Sequence, residues 1–298
     1  MEAKLQRRLQ RYGWDLAAHR YEPLWRAQLA GAQDKLLECA ALAPGERVLD
    51  VACGTGLVTF EAARAVGPHG HAFGVDLSGE MAEAARQCAE QRHTSNLSFA
   101  RMDAEALRLP DAGFDAVLCA LGLMYMPYPE QALREMQRVL RPGGRIVIAI
   151  WGERSRCGWS ALLRIVDAEV ASEVCPQFFR LGQGDGLAHL CAELQFEAVQ
   201  QHRIATTLAY ADADEACSAG FIGGPVALAW SRFDDDVRAR VCRHYLEAIE
   251  AWRCDDGRYS VPAEFVIVAA RASRSRRHAA GGLPTRRLNA RANAASDS

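Results

Sequence analysis

Residues 48–56 read Val48-Leu49-Asp50-Val51-Ala52-Cys53-Gly54-Thr55-Gly56. Here a short β-rich run, 47–51, leads into a glycine turn, and a helical pattern follows over 57–66. Glycine lets the backbone pass close beneath a ligand, since any Cβ would fill that space. In folds with parallel strands, ligands bind in the crevice at the carboxyl ends of the strands. The stretch therefore predicts a strand, a ligand-binding turn and a helix.

An ordinary turn or a nicotinamide-binding Rossmann loop would look similar. The dinucleotide fingerprint has glycine at its first, third and sixth positions. Gly54 and Gly56 fill the first two, but Thr59 stands where the third is needed. This departure counts against a nicotinamide cofactor.

Outward from the motif, strand and helix patterns alternate. Helices are expected at 57–66, 78–91 and 130–140, and strands at 47–51, 71–75, 97–101, 114–119 and 144–151. Such apolar strands are typical of a parallel sheet that is covered on both faces. Further strands are expected at 198–208 and at 260–270, which should close the sheet. We therefore predict an α/β fold with a doubly wound, mostly parallel seven-stranded sheet.

The chain divides into four expected segments. Residues 1–45 form a helical N-terminal lid, residues 46–151 a ligand-binding core, and residues 152–270 the rest of the sheet with substrate-covering insertions, mostly helical over 157–195 and again over about 234–252. Residues 271–298 contain seven Arg and one Asp with little apolar content, which predicts a disordered basic tail.

Composition narrows the class of function. Hydrophobic residues make up 50% and charged residues 24% of the 298 residues, as in ordinary globular proteins. The formal charge of −2 becomes about −8 without the basic tail, so binding to nucleic acid is not expected. Because there is no long apolar run and no signal segment, we expect a cytoplasmic protein without a membrane span.

The chain has ten cysteines but no Cys-x-x-Cys pair. Disulfide scaffolds and zinc knuckles need closer, paired spacing. His69 and His71 lack a nearby third ligand. We therefore expect reduced, core-filling cysteines and no metal site.

Two further acidic residues follow predicted strands. Asp76 ends the second strand, 20 residues after Gly56, where a carboxylate can accept hydrogen bonds from both hydroxyls of a ribose. Asp103 follows the third strand and could accept a hydrogen bond from an exocyclic amine. An acid at the start of a helix is the alternative interpretation of Asp76. Together with the glycine turn, the two acids outline an adenosine.

At this point the chain resembles the class I S-adenosylmethionine-dependent methyltransferases, and within them the group similar to ubiquinone/menaquinone-biosynthesis methyltransferases. The resemblance covers residues 36–151, with matching order and spacing. The matching motifs are V-L-D-V-A-C-G-T-G (48–56), G-V-D-L-S (74–78), R-M-D-A-E-A-L-R-L-P (101–110), F-D-A-V-L-C-A-L-G-L-M-Y-M-P (114–127) and V-L-R-P-G-G-R-I-V-I (139–148).

The resemblance implies a Rossmann-like methyltransferase fold and S-adenosylmethionine as cofactor, with S-adenosylhomocysteine as its product. It also implies a role for each matching residue. The methionine part would be surrounded by Asp50, Ala52, Cys53, Gly54 and Gly56. Asp76 would hold the ribose. The adenine would be contacted by Leu77, Met81, Met102, Asp103 and Ala104. Cys119, Ala120 and Leu121 would lie beneath the sulfonium.

The acceptor and any catalytic base are less well defined. With an acidic body and no motif of base-methylating enzymes, a small-molecule acceptor is favoured, methylated on oxygen, nitrogen or carbon. Its aromatic or lipid-like character is suggested by Phe178, Phe179, Phe221, Ile222, Trp230 and Phe233, although core packing explains these residues equally well.

Weak candidates for acid–base chemistry are Tyr125, His202 and His244, for each of which a structural role is the alternative. Tyr12, Trp14, Tyr21 and Trp25 cluster in the N-terminal segment, either as a lid over the cofactor or as helix-packing aromatics.

Other classes of function stay open. The chain could bind S-adenosylmethionine without catalysis, or it could be a nicotinamide-dependent Rossmann protein. An arsenical methyltransferase would need Cys157, Cys175 and Cys217 to converge on one pocket. Sequence does not define the oligomeric state.

Overall fold

The computed structural model describes residues 2–170, 177–224 and 226–274. Its sheet has seven strands in the order β3-β2-β1-β4-β5-β7-β6. The strands are β1 (Arg47–Val51), β2 (His71–Asp76), β3 (Leu97–Arg101), β4 (Phe114–Ala120), β5 (Leu140–Trp151), β6 (Glu197–Tyr210) and β7 (Tyr259–Arg271). β1 to β5 pair in parallel, and β7 pairs antiparallel with both β5 and β6. The predicted fold class, a mostly parallel seven-stranded sheet, is confirmed.

Helices pack around this sheet. In the described residues they are α1 (Ala3–Ala40), α2 (Leu57–Val66), α3 (Gly79–Gln91), α4 (Pro129–Val139), α5 (Ala161–Val170), α6 (Gly186–Glu193), α7 (Ala213–Cys217), α8 (Ala227–Arg232) and α9 (Asp235–Ile249). None of these helices is both long enough and apolar enough to cross a membrane.

The core lies between the sheet and its helices. In β1, the four residues after Arg47 are buried, and the apolar run 146–150 of β5 is fully buried. The C-terminal part of α1 joins this core through Leu36 and Ala40, which are also fully buried. Burying such side chains contributes about 1.5–3 kcal/mol each for Val, Leu or Ile. The strand ends are therefore held on a rigid frame.

Several elements differ from their predicted form. The predicted strand 260–270 is present as β7, the last strand in the chain, but it lies between β5 and β6, so β6 is the edge strand. The predicted strand 144–151 begins earlier, because β5 starts at Leu140, and the pairing with β4 shifts register there. Gly143 there has a φ of 75°, which favours glycine.

The structure also gives bounds to the helices and the last strand in the segments before and after the core. The N-terminal 45 residues contain one continuous helix that ends at Ala40. Within the described parts of the helical region 157–195, which are 157–170 and 177–195, the α-helices are α5 and α6. Arg271, expected in the tail, is the last residue of β7. Most of the expected tail, 275–298, lies outside the described residues.

Candidate functional site

A cleft of about 780 Å³ opens at the carboxyl ends of β1, β2, β3 and β4. These strands are neighbours in the sheet, so residues that are far apart in sequence meet at one edge. The strand ends and following turns that line it contribute Val51, Ala52, Gly54, Val75, Asp76, Leu77, Met102, Asp103, Ala104, Glu105, Ala120, Leu121 and Gly122.

The ends of β1 and β4 have unusual backbone conformations. Ala52 has a φ of 57° and Leu121 a φ of 60°, both in the left-handed region that non-glycine residues rarely adopt. A Cβ on Gly122 would come within 2.3 Å of the Ala52 Cβ. The two strand ends are thus packed as closely as glycine allows, and both of the strained residues line the cleft.

The two glycines of the β1–α2 turn have different roles. Gly54 lines the cleft, and a Cβ there would lie 3.7 Å from the Tyr21 ring. Gly56 does not line it. With a φ of 89° and a hypothetical Cβ only 2.9 Å from Phe99, Gly56 is required by backbone conformation and core packing. The prediction that both glycines face the ligand is therefore supported by the geometry only for Gly54.

Asp76 projects from the end of β2 into the cleft. Its Oδ2 accepts a hydrogen bond from the Gly54 amide at 2.9 Å, and its Oδ1 accepts one from the Ser78 amide at 2.8 Å. Burial raises the pKa of this carboxyl to about 6, against the two hydrogen bonds, which lower it. Each carboxylate oxygen has a second lone pair for a ligand hydroxyl.

Asp50 lies one residue before the end of β1 and is 1% exposed. Its Oδ2 accepts a hydrogen bond from the Thr59 hydroxyl at 2.6 Å, whereas its Oδ1 is buried without a partner among the described residues. Burial, together with the nearby Asp76 and against the hydrogen bond from Thr59, raises the pKa of Asp50 to about 7. With Gly54 and Cys53, Asp50 lines a small cavity beneath the glycine turn. An unpartnered buried carboxyl oxygen there is suited to a cationic or N–H ligand group.

Thr59 explains the departure from the dinucleotide fingerprint. It occupies the sixth position of the motif and is fully buried. Its hydroxyl fixes the orientation of Asp50, so a glycine at this position would remove that hydrogen bond. Thr59, which counts against a nicotinamide site, thus holds the Asp50 side chain in place near the end of β1.

At the far side of the cleft, Asp103 contacts the N-terminal helix. Its Oδ2 lies 3.4 Å from Nε of Arg7, and Oδ1 accepts a hydrogen bond from the Glu105 amide at 2.9 Å. Arg7 also donates a hydrogen bond to the buried Glu105 carboxylate. Asp103 therefore lines the cleft as predicted, but its carboxylate is shared with α1.

Helix α1 covers the cleft along one face. Arg7, Gln10, Trp14 and Tyr21 line the cleft at intervals of three, four and seven residues, which is helical spacing. Asp15 also connects α1 to the start of α3, since its Oδ1 accepts a hydrogen bond from the Ser78 hydroxyl at 2.6 Å. Ser78 in turn caps α3.

A second, smaller cavity adjoins the cleft. The two share Trp14, Tyr21, Leu121 and Tyr125. Of the described residues that line it, none is Asp, Glu, Lys, Arg or His. The remaining lining residues are Trp25, Leu29, Trp151, Trp159, Leu162, Gly220, Gly224 and Tyr245. The second cavity is therefore apolar, aromatic and next to the cleft.

A model of the "Methyltransferase domain" family matches residues 42–211, more than half of the chain. The chain belongs to this methyltransferase domain family. The expected membership of the class I S-adenosylmethionine-dependent methyltransferases is thereby confirmed.

Curated relatives share the same region of the chain. The ubiquinone/menaquinone biosynthesis C-methyltransferase UbiE of Hahella chejuensis is 45% identical over 105 residues, covering 35% of this chain and 42% of the relative. UbiE of Ectopseudomonas mendocina is 39% identical over 132 residues, covering 44% and 50%. The chain thus spans about half the length of the curated relatives it matches. The crystal structure of YcgJ from Bacillus subtilis matches with a TM-score of 0.59 at 20% identity, covering 83% of this chain and all of YcgJ, which shows the shared fold.

Most residues that were predicted to bind the cofactor of this methyltransferase border the cleft. The exceptions are Asp50 and Cys53, which line the small cavity beneath the turn, and Gly56 and Cys119, which line neither. Cys119 is fully buried behind Ala120, and burial raises its pKa to about 12. Met81 lines the cleft from α3.

The three candidates for acid–base chemistry lie in different parts of the molecule. Tyr125 lines both cavities, in a short 3-10 turn after β4. His202 lies on edge strand β6 and His244 is exposed on α9, and neither borders a cavity described above. The geometry thus brings only Tyr125 to the site.

Of the other aromatic residues and cysteines considered in the sequence, some line the two cavities and some do not. Phe178, Phe179 and Phe221 are buried, but they line neither cavity. Trp14, Tyr21 and Trp25 do line the site, whereas Tyr12 is exposed. Cys157 and Cys217 line neither cavity, and Cys175 lies outside the described residues. Sequence reasoning missed Arg7, Gln10, Trp151, Trp159 and Tyr245; the helical spacing of Arg7 and Gln10 with Trp14 was a usable signal.

Proposed function

We propose that the protein transfers a methyl group from S-adenosylmethionine to a small, uncharged acceptor that binds in the aromatic second cavity. The observation that carries this proposal is the placement of Asp76 and Asp50, on adjacent strand ends, around the Gly54 turn. Each of these carboxyl groups can accept a further hydrogen bond, and the Gly54 turn leaves room for a ligand. The residues present therefore fit an adenosyl amino-acid cofactor.

Each part of the cofactor has a group of this chain to bind it. Asp76 accepts hydrogen bonds from the two ribose hydroxyls while the Gly54 and Ser78 amides hold its carboxylate in place. Asp50, oriented by Thr59, accepts a hydrogen bond from the ammonium group of the methionine part. Leu77 and Met81 provide an apolar surface for the adenine.

S-adenosylmethionine supplies an electrophilic sulfonium methyl group. The chain contributes orientation and exclusion of water, because helix α1 covers the cleft and aromatic rings enclose the acceptor cavity. Holding reacting groups in line can supply about 7–11 kcal/mol of a barrier. No ionised base is needed for an activated ring carbon, and Tyr125 at the junction of the cavities is placed to orient the acceptor.

The acceptor is an apolar ring compound. A charged acceptor would lose its hydration in the second cavity without gaining a counter-charge. The curated relatives are named for C-methylation in ubiquinone and menaquinone biosynthesis, and this name supports methylation at a ring carbon here.

Transfer of a labelled methyl group tests this function. The purified protein is incubated with S-adenosylmethionine labelled in the methyl group and with metabolite extracts that are separated into apolar and polar fractions. We expect labelled product from the apolar fraction, and none with the Asp76→Ala variant. Label in the polar fraction alone would contradict the acceptor class. Cofactor binding without product from any fraction would favour a non-catalytic binding protein.

A further inference from the structure

Exposed apolar side chains gather around the N-terminal half of α1. Among the described residues, the large apolar side chains that are exposed are Leu5, Tyr12 and Leu16 of α1 and Tyr128, which precedes α4. Tyr128 lies beside the same helix, since the Arg7 guanidinium is 5.6 Å from the centroid of its ring. Exposed apolar residues are ordinary when they are scattered, but a group of them in one place commonly marks an interaction surface.

The exposed residues of α1 belong to one stripe along the helix. Leu5, Leu9, Tyr12 and Leu16 follow one another at intervals of four, three and four residues, which places them on one face. Leu5, Tyr12 and Leu16 are 36%, 44% and 51% exposed, and Leu9 is half-buried. These four residues form the α1 stripe. The residues of α1 that line the cleft lie on the opposite side of the helix, so the α1 stripe takes no part in the cleft.

Cations border the α1 stripe. Arg8 lies one turn after Leu5 and one turn before Tyr12. Arg20 lies one turn after Leu16. Both Arg side chains are exposed, and neither forms an ion pair with another of the described residues. A helix with an apolar stripe between Lys or Arg residues is typical of helices that lie in the interface of an anionic lipid bilayer.

The charge of the chain is divided in a way that would orient the protein on such a surface. Residues 1–20 contain five Lys or Arg and two acidic residues, a net formal charge of +3, whereas residues 21–270 carry −11. One of the two acids, Asp15, accepts a hydrogen bond from Ser78 and so faces α3. An anionic surface would therefore attract this helix and repel the rest of the body. A second copy of the chain fits the α1 stripe less well, because two such stripes would bring like charges together.

We propose that the N-terminal half of α1 docks the protein on the surface of an anionic lipid bilayer. The α1 stripe enters the boundary between headgroups and acyl chains, while Arg8 and Arg20 bind lipid phosphates. Tyr12 suits this boundary, because its ring is apolar and its hydroxyl is polar. The helix that covers the cleft is then the part of the molecule that meets the bilayer. This inference goes beyond the proposed function and does not depend on it.

Flotation of the full-length protein with lipid vesicles tests the proposal. One set of vesicles contains phosphatidylcholine alone, and the other contains equal amounts of phosphatidylcholine and phosphatidylglycerol, both at physiological salt. We expect the wild type to float with the anionic vesicles and to bind the neutral ones at least about tenfold more weakly. The Leu5→Gln/Leu16→Gln variant should bind the anionic vesicles about tenfold more weakly than the wild type, since it lacks two apolar anchors.

Charge variants separate the contribution of α1 from that of the basic C-terminal segment, which every protein in the experiment retains. Arg8→Gln/Arg20→Gln should weaken binding to the anionic vesicles by at least about tenfold, at roughly fivefold for each cation. The control Arg164→Gln/Arg243→Gln removes the same charge from exposed positions on α5 and α9 and should bind like the wild type. Because the changed side chains are exposed, all variants should unfold at the urea concentration that unfolds the wild type.

Three results would overturn the proposal. The first is a wild type that floats with neither set of vesicles, or equally with both. The second is equal flotation of the wild type and the α1 variants, which would assign lipid binding to another part of the chain. The third is a dimer, detected by sedimentation velocity without vesicles, that Leu5→Gln/Leu16→Gln abolishes, since the α1 stripe would then bind a second copy.

Discussion

Asp50 is a carboxyl group surrounded by apolar neighbours, with one oxygen bound to Thr59 and the other unpartnered. Its pKa of about 7, against an ordinary value of 3.8, means that the folded protein holds this proton more tightly than the unfolded chain does. Its contribution to stability is therefore fully present below about pH 4 and is lost as the pH rises to about 7. A cationic ligand group beside Asp50 would favour the charged carboxylate and so lower its pKa.

Substituting Asp50→Asn should reduce the pH dependence of stability. Asn keeps an acceptor for Thr59 but does not titrate. Between about pH 4 and 7 the free energy of unfolding should fall more steeply in the wild type, by at most about 1.4 kcal/mol per pH unit. Urea unfolding without ligand at several pH values measures this difference. Asp34→Asn, an exposed control on α1, should follow the wild type; parallel curves for wild type and Asp50→Asn would show that Asp50 is ionised throughout.

Asp76→Ala should weaken binding of S-adenosylhomocysteine by about 100-fold, because it removes two charge-assisted hydrogen bonds to the ribose. Isothermal titration gives the affinity. The exposed Asp255→Ala changes the same charge far from the cleft and should bind like the wild type. An Asp76→Ala variant that folds normally and retains full affinity would disprove the ribose assignment.

At the level of elements, α1 runs along both the cleft and the second cavity. Its N-terminal half lines the cleft, Trp25 and Leu29 line the second cavity, and Leu36 enters the core. Arg7 secures the free end of the helix by binding Asp103 and Glu105. Because Arg7 also lines the cleft, we expect this contact to hold α1 over the cleft.

Arg7→Ala should release the first turns of α1. Backbone amides of residues 3–20 should then exchange hydrogen faster, and S-adenosylhomocysteine should dissociate faster, by about tenfold. Hydrogen exchange by mass spectrometry and a displacement assay measure the two effects. Arg8→Ala removes the same charge from the exposed side of the helix and serves as the control. Equal exchange in both variants would show that the Arg7 contacts do not hold the helix.

The first half of the chain was predictable at the level of elements, because each has a strong local signal. The predicted bounds of β1, α2 and β3 agree with the structure, and Ser78 caps α3 through its hydroxyl as expected. The site was predictable where residues follow strand ends. It was not predictable for Trp159 or Tyr245, since their position at the cavity depends on packing between distant elements.

Across the whole molecule, the sequence predicted the strands but not their order in the sheet. The uniformly apolar run of β7 is typical of a central strand, and the alternating exposure of β6 is typical of an edge strand. These two patterns could therefore have indicated which of the two strands lies at the edge. The antiparallel direction of β7 was not predictable, because the periodicity of side chains is the same in both directions.

Glu264 should be important for the stability of the C-terminal half. This carboxylate, 3% exposed on β7, accepts a hydrogen bond from Arg203 of β6 at 2.7 Å and from the Glu153 amide after β5 at 3.1 Å. Glu264→Ala should lower the free energy of unfolding by about 1–3 kcal/mol, since Arg203 and the Glu153 amide lose their acceptor. Urea unfolding tests this, with the exposed Glu193→Ala as control; a loss no larger than in the control would contradict it.

Isothermal titration of the purified protein with S-adenosylhomocysteine and, separately, with NADH tests most directly whether the strand-end carboxylates bind an adenosyl amino acid. Near pH 6.5, in two buffers of different ionisation enthalpy, we expect saturable 1:1 binding of S-adenosylhomocysteine with net release of protons from Asp50 and Asp76. NADH should bind at least about 100-fold more weakly. Comparable binding of NADH, or no saturable binding of S-adenosylhomocysteine, would contradict the account.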